Sequence, residues 1–192
     1  MTIRLYMLHS STKSLGPGNR FVIWTQGCNR CCPGCMSPKS RDFEDGEAWD
    51  TDVLSEKIIN TENIEGITIS GGEPFLQAEA LCEIIEKIRN NRDMGVIIYT
   101  GYQYYELLES GEIAVRKLLS LCDLLIDGPY VEEYNDGKSL RGSSNQKIIP
   151  LTERYRGDIG LYGVEEHNME ILIRSDGKAR IIGIPPHGMK LY

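Results

Sequence analysis

Four short apolar runs alternate with amphipathic runs, and this alternation constrains the fold more than any other feature. RFVIWTQ (Arg20 to Gln26), GITIS (Gly66 to Ser70), GVIIYTG (Gly95 to Gly101) and CDLLIDGPY (Cys122 to Tyr130) have the length and β-branched content of buried strands. The segments between them, DTDVLSEKIINT, FLQAEALCEIIEKIRNN and the pair YQYYELLES and EIAVRKLLSL, repeat apolar residues at helical spacing. Strand–helix alternation predicts a parallel α/β sheet, with RFVIWTQ as its first strand. KIIPL then reads as a strand, and NMEILIRSDGKARIIGIP as a hairpin turning at Ser175-Asp176-Gly177. Ser37 to Asp50 reads as a long mobile loop. No linker or repeat breaks the 192 residues, so a single domain spanning 1–192 is expected, with a C-terminal extension from about 160 to 192.

The chemically distinctive residues follow the strands. Cysteines come after the first, Gly71-Gly72-Glu73 after the second, Thr100-Gly101 after the third and Asp127-Gly128 at the end of the fourth. Ligands of parallel α/β sheets bind at the carboxyl ends of the strands, so four such ends predict one shared site.

GCNRCCPGC (Gly27 to Cys35) packs four of the six cysteines into eight positions. Cys28, Cys32 and Cys35 have the spacing C-x3-C-x2-C, and three thiolates on one short loop suit a soft metal or an iron–sulfur cluster. Cys28/Cys31 and Cys32/Cys35 also form two C-x2-C pairs, which keeps a four-cysteine zinc or rubredoxin-like iron site open. Adjacent ligands at Cys31 and Cys32 would strain such a site. Cys82 falls on the apolar face of a helix, where packing is the default role. His9, His167 and His187 are scattered and form no metal constellation.

The formal charge of -7, with no block of like charge, argues against phosphate-neutralising nucleic-acid binding. Lys39, Arg41, Lys138 and Arg141 nevertheless stand near the motifs and suit an anionic ligand. No leader pattern or membrane-length apolar run is present, so a cytoplasmic protein with no membrane partner is expected. There, cysteines serve as thiols or metal ligands rather than disulfides.

The C-x3-C-x2-C loop followed by SGGEP (Ser70 to Pro74) resembles the radical S-adenosylmethionine (SAM) enzymes. GPGNRFVIWTQGC (Gly16 to Cys28) resembles the signature of the glycyl-radical-enzyme activating proteins. LLIDGPY and LRGSSNQKII are similar to stretches of the members that act on an anaerobic ribonucleoside-triphosphate reductase. Ser37 stands where that family usually has Asn, and Trp24 where it usually has Phe.

The resemblance implies an α/β fold, an open partial (βα) barrel of the radical SAM type, here with a C-terminal β-hairpin. It implies one [4Fe-4S] cluster held by Cys28, Cys32 and Cys35, whose fourth iron takes the amino and carboxylate groups of SAM. Glu73 would accept a hydrogen bond from the SAM ammonium, and Gly71, Gly72 and Pro74 would shape that contact. Thr100 would touch the ribose or methionine part of SAM or simply end its strand. Asp127 would lie near SAM or serve a turn. Arg141 would bind a carboxylate or stay on a loop, and Arg20 would tune the cluster or pair with an acid. No side chain is implied as a catalyst, because the cofactor carries the radical chemistry. The implied reaction is reductive cleavage of SAM to a 5′-deoxyadenosyl radical, which removes hydrogen from a glycine of a glycyl radical enzyme. A reductant such as flavodoxin or ferredoxin would supply the electron. Another peptide or small-molecule substrate, and a non-enzymatic iron–sulfur or zinc module, are the alternatives.

Overall fold

The computed structural model describes residues 1–138, 140–158, 168–173, 177 and 179–189. In chain order its elements are β1 (Thr2–Thr12), β2 (Arg20–Thr25), β3 (Glu47–Asp50), α1 (Thr51–Ile59), β4 (Gly66–Gly71), α2 (Ala78–Asn91), β5 (Gly95–Tyr99), α3 (Tyr104–Leu108), α4 (Ile113–Leu121), β6 (Leu124–Asp127), β7 (Lys147–Pro150), β8 (Met169–Ile173) and β9 (Ala179–Gly183). The first seven strands form one mixed sheet in the order β3-β1-β2-β4-β5-β6-β7, and β8 and β9 form a separate antiparallel hairpin.

The four strands read from the sequence are the parallel centre of the sheet. β2 pairs with β4, β4 with β5 and β5 with β6, all in parallel. Because these strands are covered on both sides, their sequences are continuous apolar runs instead of alternating ones. Phe21, Ile23, Ile67, Ile69, Ile98 and Leu125 point to one face, where the buried stripes of α1, α2 and α4 cover them. Helix α1 is capped by Asp50, whose carboxylate accepts from the N–H groups of Asp52 and Val53.

The opposite face carries Val22, Trp24, Ile97, Leu124 and Ile126. It is covered by Leu15, by Tyr155, and by Ile182 and Ile184 of the hairpin segment. Glu170 of β8 fixes the hairpin to the end of β1, accepting from the Thr12 hydroxyl at 2.7 Å and the Lys13 N–H at 2.9 Å.

Two expectations are corrected. RFVIWTQ is the second strand, because β1 precedes it and pairs antiparallel with it. Ser37 to Asp50 is not all loop: it contains a short 3-10 helix, Pro38–Ser40, and ends in β3, which pairs antiparallel with β1. β3 escaped notice because an exposed edge strand tolerates the charges of EAWD. Of the expected hairpin turn, residues 175 and 176 lie outside the described residues, as do all of 159–167, His167 among them, and all of 190–192.

Candidate metal and cofactor site

β2, β4 and β5 all point their carboxyl ends at one pocket of about 640 Å³, a size within the range of small-molecule sites. The cysteine loop leaves β2 and is sewn to its neighbours by backbone hydrogen bonds. Gly27 N–H donates to the Ser40 carbonyl at 2.9 Å, and Cys28 N–H to the Arg41 carbonyl at 3.0 Å. The Gly27 carbonyl in turn accepts from Glu73 N–H at 2.8 Å.

This crossing explains the glycine pair. Gly71 has φ +103°, a left-handed backbone that L side chains resist. A Cβ on Gly72 would lie 2.2 Å from the Gly27 carbonyl oxygen. The two loops therefore touch only because Gly72 has no side chain.

Glu73 is 1% exposed and anchors the site. One carboxylate oxygen accepts from Phe75 N–H at 3.1 Å and from the Thr100 hydroxyl at 2.8 Å; the other accepts from Gly101 N–H at 2.8 Å. Glu73 thus caps the short 3-10 helix Pro74–Gln77 while its carboxylate also lines the pocket. Burial pushes its carboxyl from an ordinary 4.5 up to about 7, against the pull of those three donors.

A folded-state value above the unfolded one means that the folded protein binds this proton more tightly. The resulting stabilisation is full below pH about 4.5 and is lost as pH rises through about 7. Ligand-free protein should accordingly lose melting temperature across that window. A Glu73→Gln variant, whose offset is pH-independent, should show a flatter profile. Parallel slopes for the two proteins would show that the carboxyl is not displaced. A cation docked on Glu73 stabilises its charged form, so affinity for an ammonium-bearing ligand should rise with pH through the same range.

Cys28, Cys32 and Cys35 line the pocket, whereas Cys31 is exposed and lies off it. Burial raises the Cys28 and Cys35 thiols above their ordinary range. Arg30 N–H points at Cys28 Sγ from 3.4 Å. Among the described residues no group of three His, Cys, Asp or Glu side chains is placed to hold a metal ion. The three thiols share a wall on a loop that a bound group must draw together.

The donor set fits an anionic, sulfur-ligated cluster for a second reason. The Nε atoms of Arg30 and Arg41, both pocket residues, are buried without an acceptor. The Arg30 guanidinium is stacked 4.0 Å from the Tyr102 ring centroid and paired with Glu106 at 3.1 Å. It thereby ties the cysteine loop to the segment after β5.

Two expected contacts go elsewhere. The Asp127 carboxylate is satisfied by Tyr104 N–H at 2.8 Å and Lys147 N–H at 3.1 Å, and Gly128 is the pocket residue there. Arg141 pairs with Asp136 at 2.9 Å, while its neighbour Gly142 lines the pocket. Arg20 is fully buried at the opposite end of the strands. Pro74 is buried as the first residue of its 3-10 helix, and Cys82 is in the core.

Arg30 and Tyr99 were missed. Arg30 stood inside the C-x3-C spacing as an unassigned residue. The Tyr99 hydroxyl, buried without a partner beside the pocket, was hidden within an apolar strand.

A clustered thiol loop against a glycine-bordered carboxylate, at the carboxyl ends of a parallel sheet, gives a small-molecule pocket whose donor set suits a soft metal or an iron–sulfur cluster. Residues 14–149 match the family model described as a 4Fe-4S single cluster domain. The anaerobic ribonucleoside-triphosphate reductase-activating protein of Haemophilus influenzae is 34% identical over 142 residues, 69% of this chain and 88% of that protein. The protein of the same name from Escherichia coli K12 is 30% identical over 146 residues, 71% and 91% of the two chains. The pyruvate formate-lyase-activating enzyme of Streptococcus mutans is 33% identical over 171 residues, 80% of this chain and 61% of that enzyme. The chain belongs to the 4Fe-4S single-cluster family of radical SAM activating enzymes that includes the anaerobic ribonucleoside-triphosphate reductase-activating proteins. Membership implies a [4Fe-4S] cluster and SAM as its cofactors.

Proposed function

We propose that this chain installs a glycyl radical on a partner enzyme of the anaerobic ribonucleotide reductase type. The observation that carries the reading is the convergence of Cys28, Cys32, Cys35, Gly71, Gly72 and Glu73 on one pocket. When bound, the cluster would supply one electron to SAM and so generate the radical that takes hydrogen from the partner's glycine.

In this reading Cys28, Cys32 and Cys35 hold three irons and leave the fourth for SAM. Glu73 accepts from the SAM ammonium, a charge-assisted contact in a water-poor site. Gly71 and Gly72 let the backbone approach the methionine part closely. Thr100 holds the Glu73 carboxylate in place from the pocket wall. Asp127 sets the loop before α3, and Arg141 serves its own loop.

The seven-stranded sheet, with β3 and β7 as its edges, is read as an open partial (βα) barrel. A partner's glycine-bearing loop would enter at the pocket lined by the strand ends, which suits a single domain of this size. A flavodoxin or ferredoxin would be the reductant, and the cytoplasm the setting. Among the described residues no helix is long and apolar enough to cross a membrane.

The test is anaerobic. Protein reconstituted with iron and sulfide and reduced with dithionite should convert SAM to 5′-deoxyadenosine, detected by mass spectrometry. A Cys32→Ala variant should give none. A fully loaded, reduced cluster that yields no product, and whose spectrum SAM leaves unchanged, would leave a metal-binding module in place of an enzyme.

A further inference from the structure

The pocket is cationic in an acidic chain. Arg30, Lys39, Arg41 and Arg180 line it, against the single carboxylate of Glu73, while the whole chain carries a formal charge of -7. Arg30 is neutralised by Glu106. Among the described residues, no carboxylate lies within ion-pair distance of Lys39, Arg41 or Arg180. Arg41 also has its Nε buried without an acceptor. Leaving a guanidinium half-buried and unpaired is costly unless an anion arrives.

Arg180 comes from a different part of the chain. It stands on β9, outside residues 14–149 that match the family model. The hairpin that carries it is a fixed wall, with Ile182 fully buried and Ile184 nearly so against Leu15, Val22 and Trp24. The Pro185 carbonyl accepts from the Asn135 side chain at 3.1 Å. Two segments far apart in sequence thus bring unpaired guanidinium groups to the pocket that the three thiols line.

We infer that Arg41 and Arg180 form a cationic wall that favours the one-electron-reduced state of the cluster held by Cys28, Cys32 and Cys35. The inference rests on the cluster reading above and goes beyond it by giving the hairpin a role. An external low-potential donor passes one electron to the cluster, [4Fe-4S]2+ becoming [4Fe-4S]+, and no proton moves. With three thiolates the assembly goes from -1 to -2. A nearby cation stabilises the second state more than the first. At a separation of order 10 Å and an effective dielectric constant near 20, one charge changes the equilibrium by about tenfold.

The experiment is a redox titration of the reconstituted full chain, without SAM, followed by the electron paramagnetic resonance of the reduced cluster. At a fixed poise, Arg180→Gln and Arg41→Gln should each lower the reduced-to-oxidised ratio by about three- to tenfold, tenfold being about 59 mV for one electron. Arg180→Lys should stay near wild type because the charge remains. High salt should shrink the difference. Lys57→Gln, on the exposed side of α1, should change nothing. Arg180→Gln titrating with wild type, or Arg180→Lys shifting as far as Arg180→Gln, would overturn the inference. If Arg41→Gln loads less iron, Arg180→Gln decides, because it lies off the cysteine loop. A wild type that takes up no iron overturns the cluster reading and this inference together; a loaded cluster with unshifted variants overturns the inference alone.

Discussion

Replacing Arg20 with Met should destabilise the protein by about 2–4 kcal/mol, although Arg20 lies at the far end of the strands from the pocket. Its guanidinium is fully buried at the start of β2 and donates to four acceptors. These are the Thr68 hydroxyl at 3.2 Å, the Tyr155 hydroxyl at 2.7 Å, and the carbonyls of Ile67 and Gly95 at 2.5 and 2.8 Å. Burial lowers its proton affinity, so the charge is held there at a cost that these acceptors offset. Methionine removes that cost but leaves two carbonyls and a phenol without donors inside a dry core. In a chain of this size the loss corresponds to a fall in melting temperature of roughly 5–15 °C. Lysine should recover only part of it, because an ammonium cannot reproduce the fork that spans β4, β5 and Tyr155. Equal melting temperatures for wild type and Arg20→Met would show that the acceptors find water or each other. The reading of Arg20 as a tuner of the cluster fails on placement, since the thiols stand at the other end of its strand.

Cys31→Ala should keep both iron and 5′-deoxyadenosine formation. Cys28→Ala, Cys32→Ala and Cys35→Ala should each lose the cluster and essentially all product. Residues that merely orient metal ligands cost about 10–100-fold when changed, so losing a ligand should cost more than about 100-fold. Cys31 is exposed and does not line the pocket that Cys28, Cys32 and Cys35 share. The measurement is iron and sulfide content beside product yield for all four variants. If Cys31→Ala also loses its metal, the paired arrangement Cys28/Cys31 and Cys32/Cys35 becomes the correct one, and the three-thiol site falls.

Much of the site was legible because its signals are local. The parallel strands β2, β4, β5 and β6 announced themselves as continuous apolar runs, and α2 by its 3.6-residue period. Residues adjacent to those strands had to fall at their carboxyl ends, so the thiols, Gly71 to Glu73 and Thr100 were placed together by position alone. β1 was missed although Ile3 and Leu5 alternate with exposed Thr2 and Arg4. The alternation fades in its second half, where the strand bulges against β2. β3 carried too short an apolar signal, with Trp49 packed against the core between two acids and the rest of the strand held by pairing with β1.

The sequence by itself determined the chemistry available at each strand end: three spaced thiols, a glycine pair before a carboxylate, and an alternation of strand and helix periods. Those properties depend on residues a few positions apart. Only the tertiary structure decided which groups reach the pocket. Asp127 and Arg141 have suitable chemistry but are held by Tyr104, Lys147 and Asp136. Arg180, more than a hundred residues from the cysteines, comes to the same pocket because Ile182 and Ile184 of its hairpin bury themselves on β2. Burial of an apolar face is non-directional and depends on the whole surface offered to it. Its outcome is therefore set by the packing of the complete chain and leaves no mark in the neighbouring sequence.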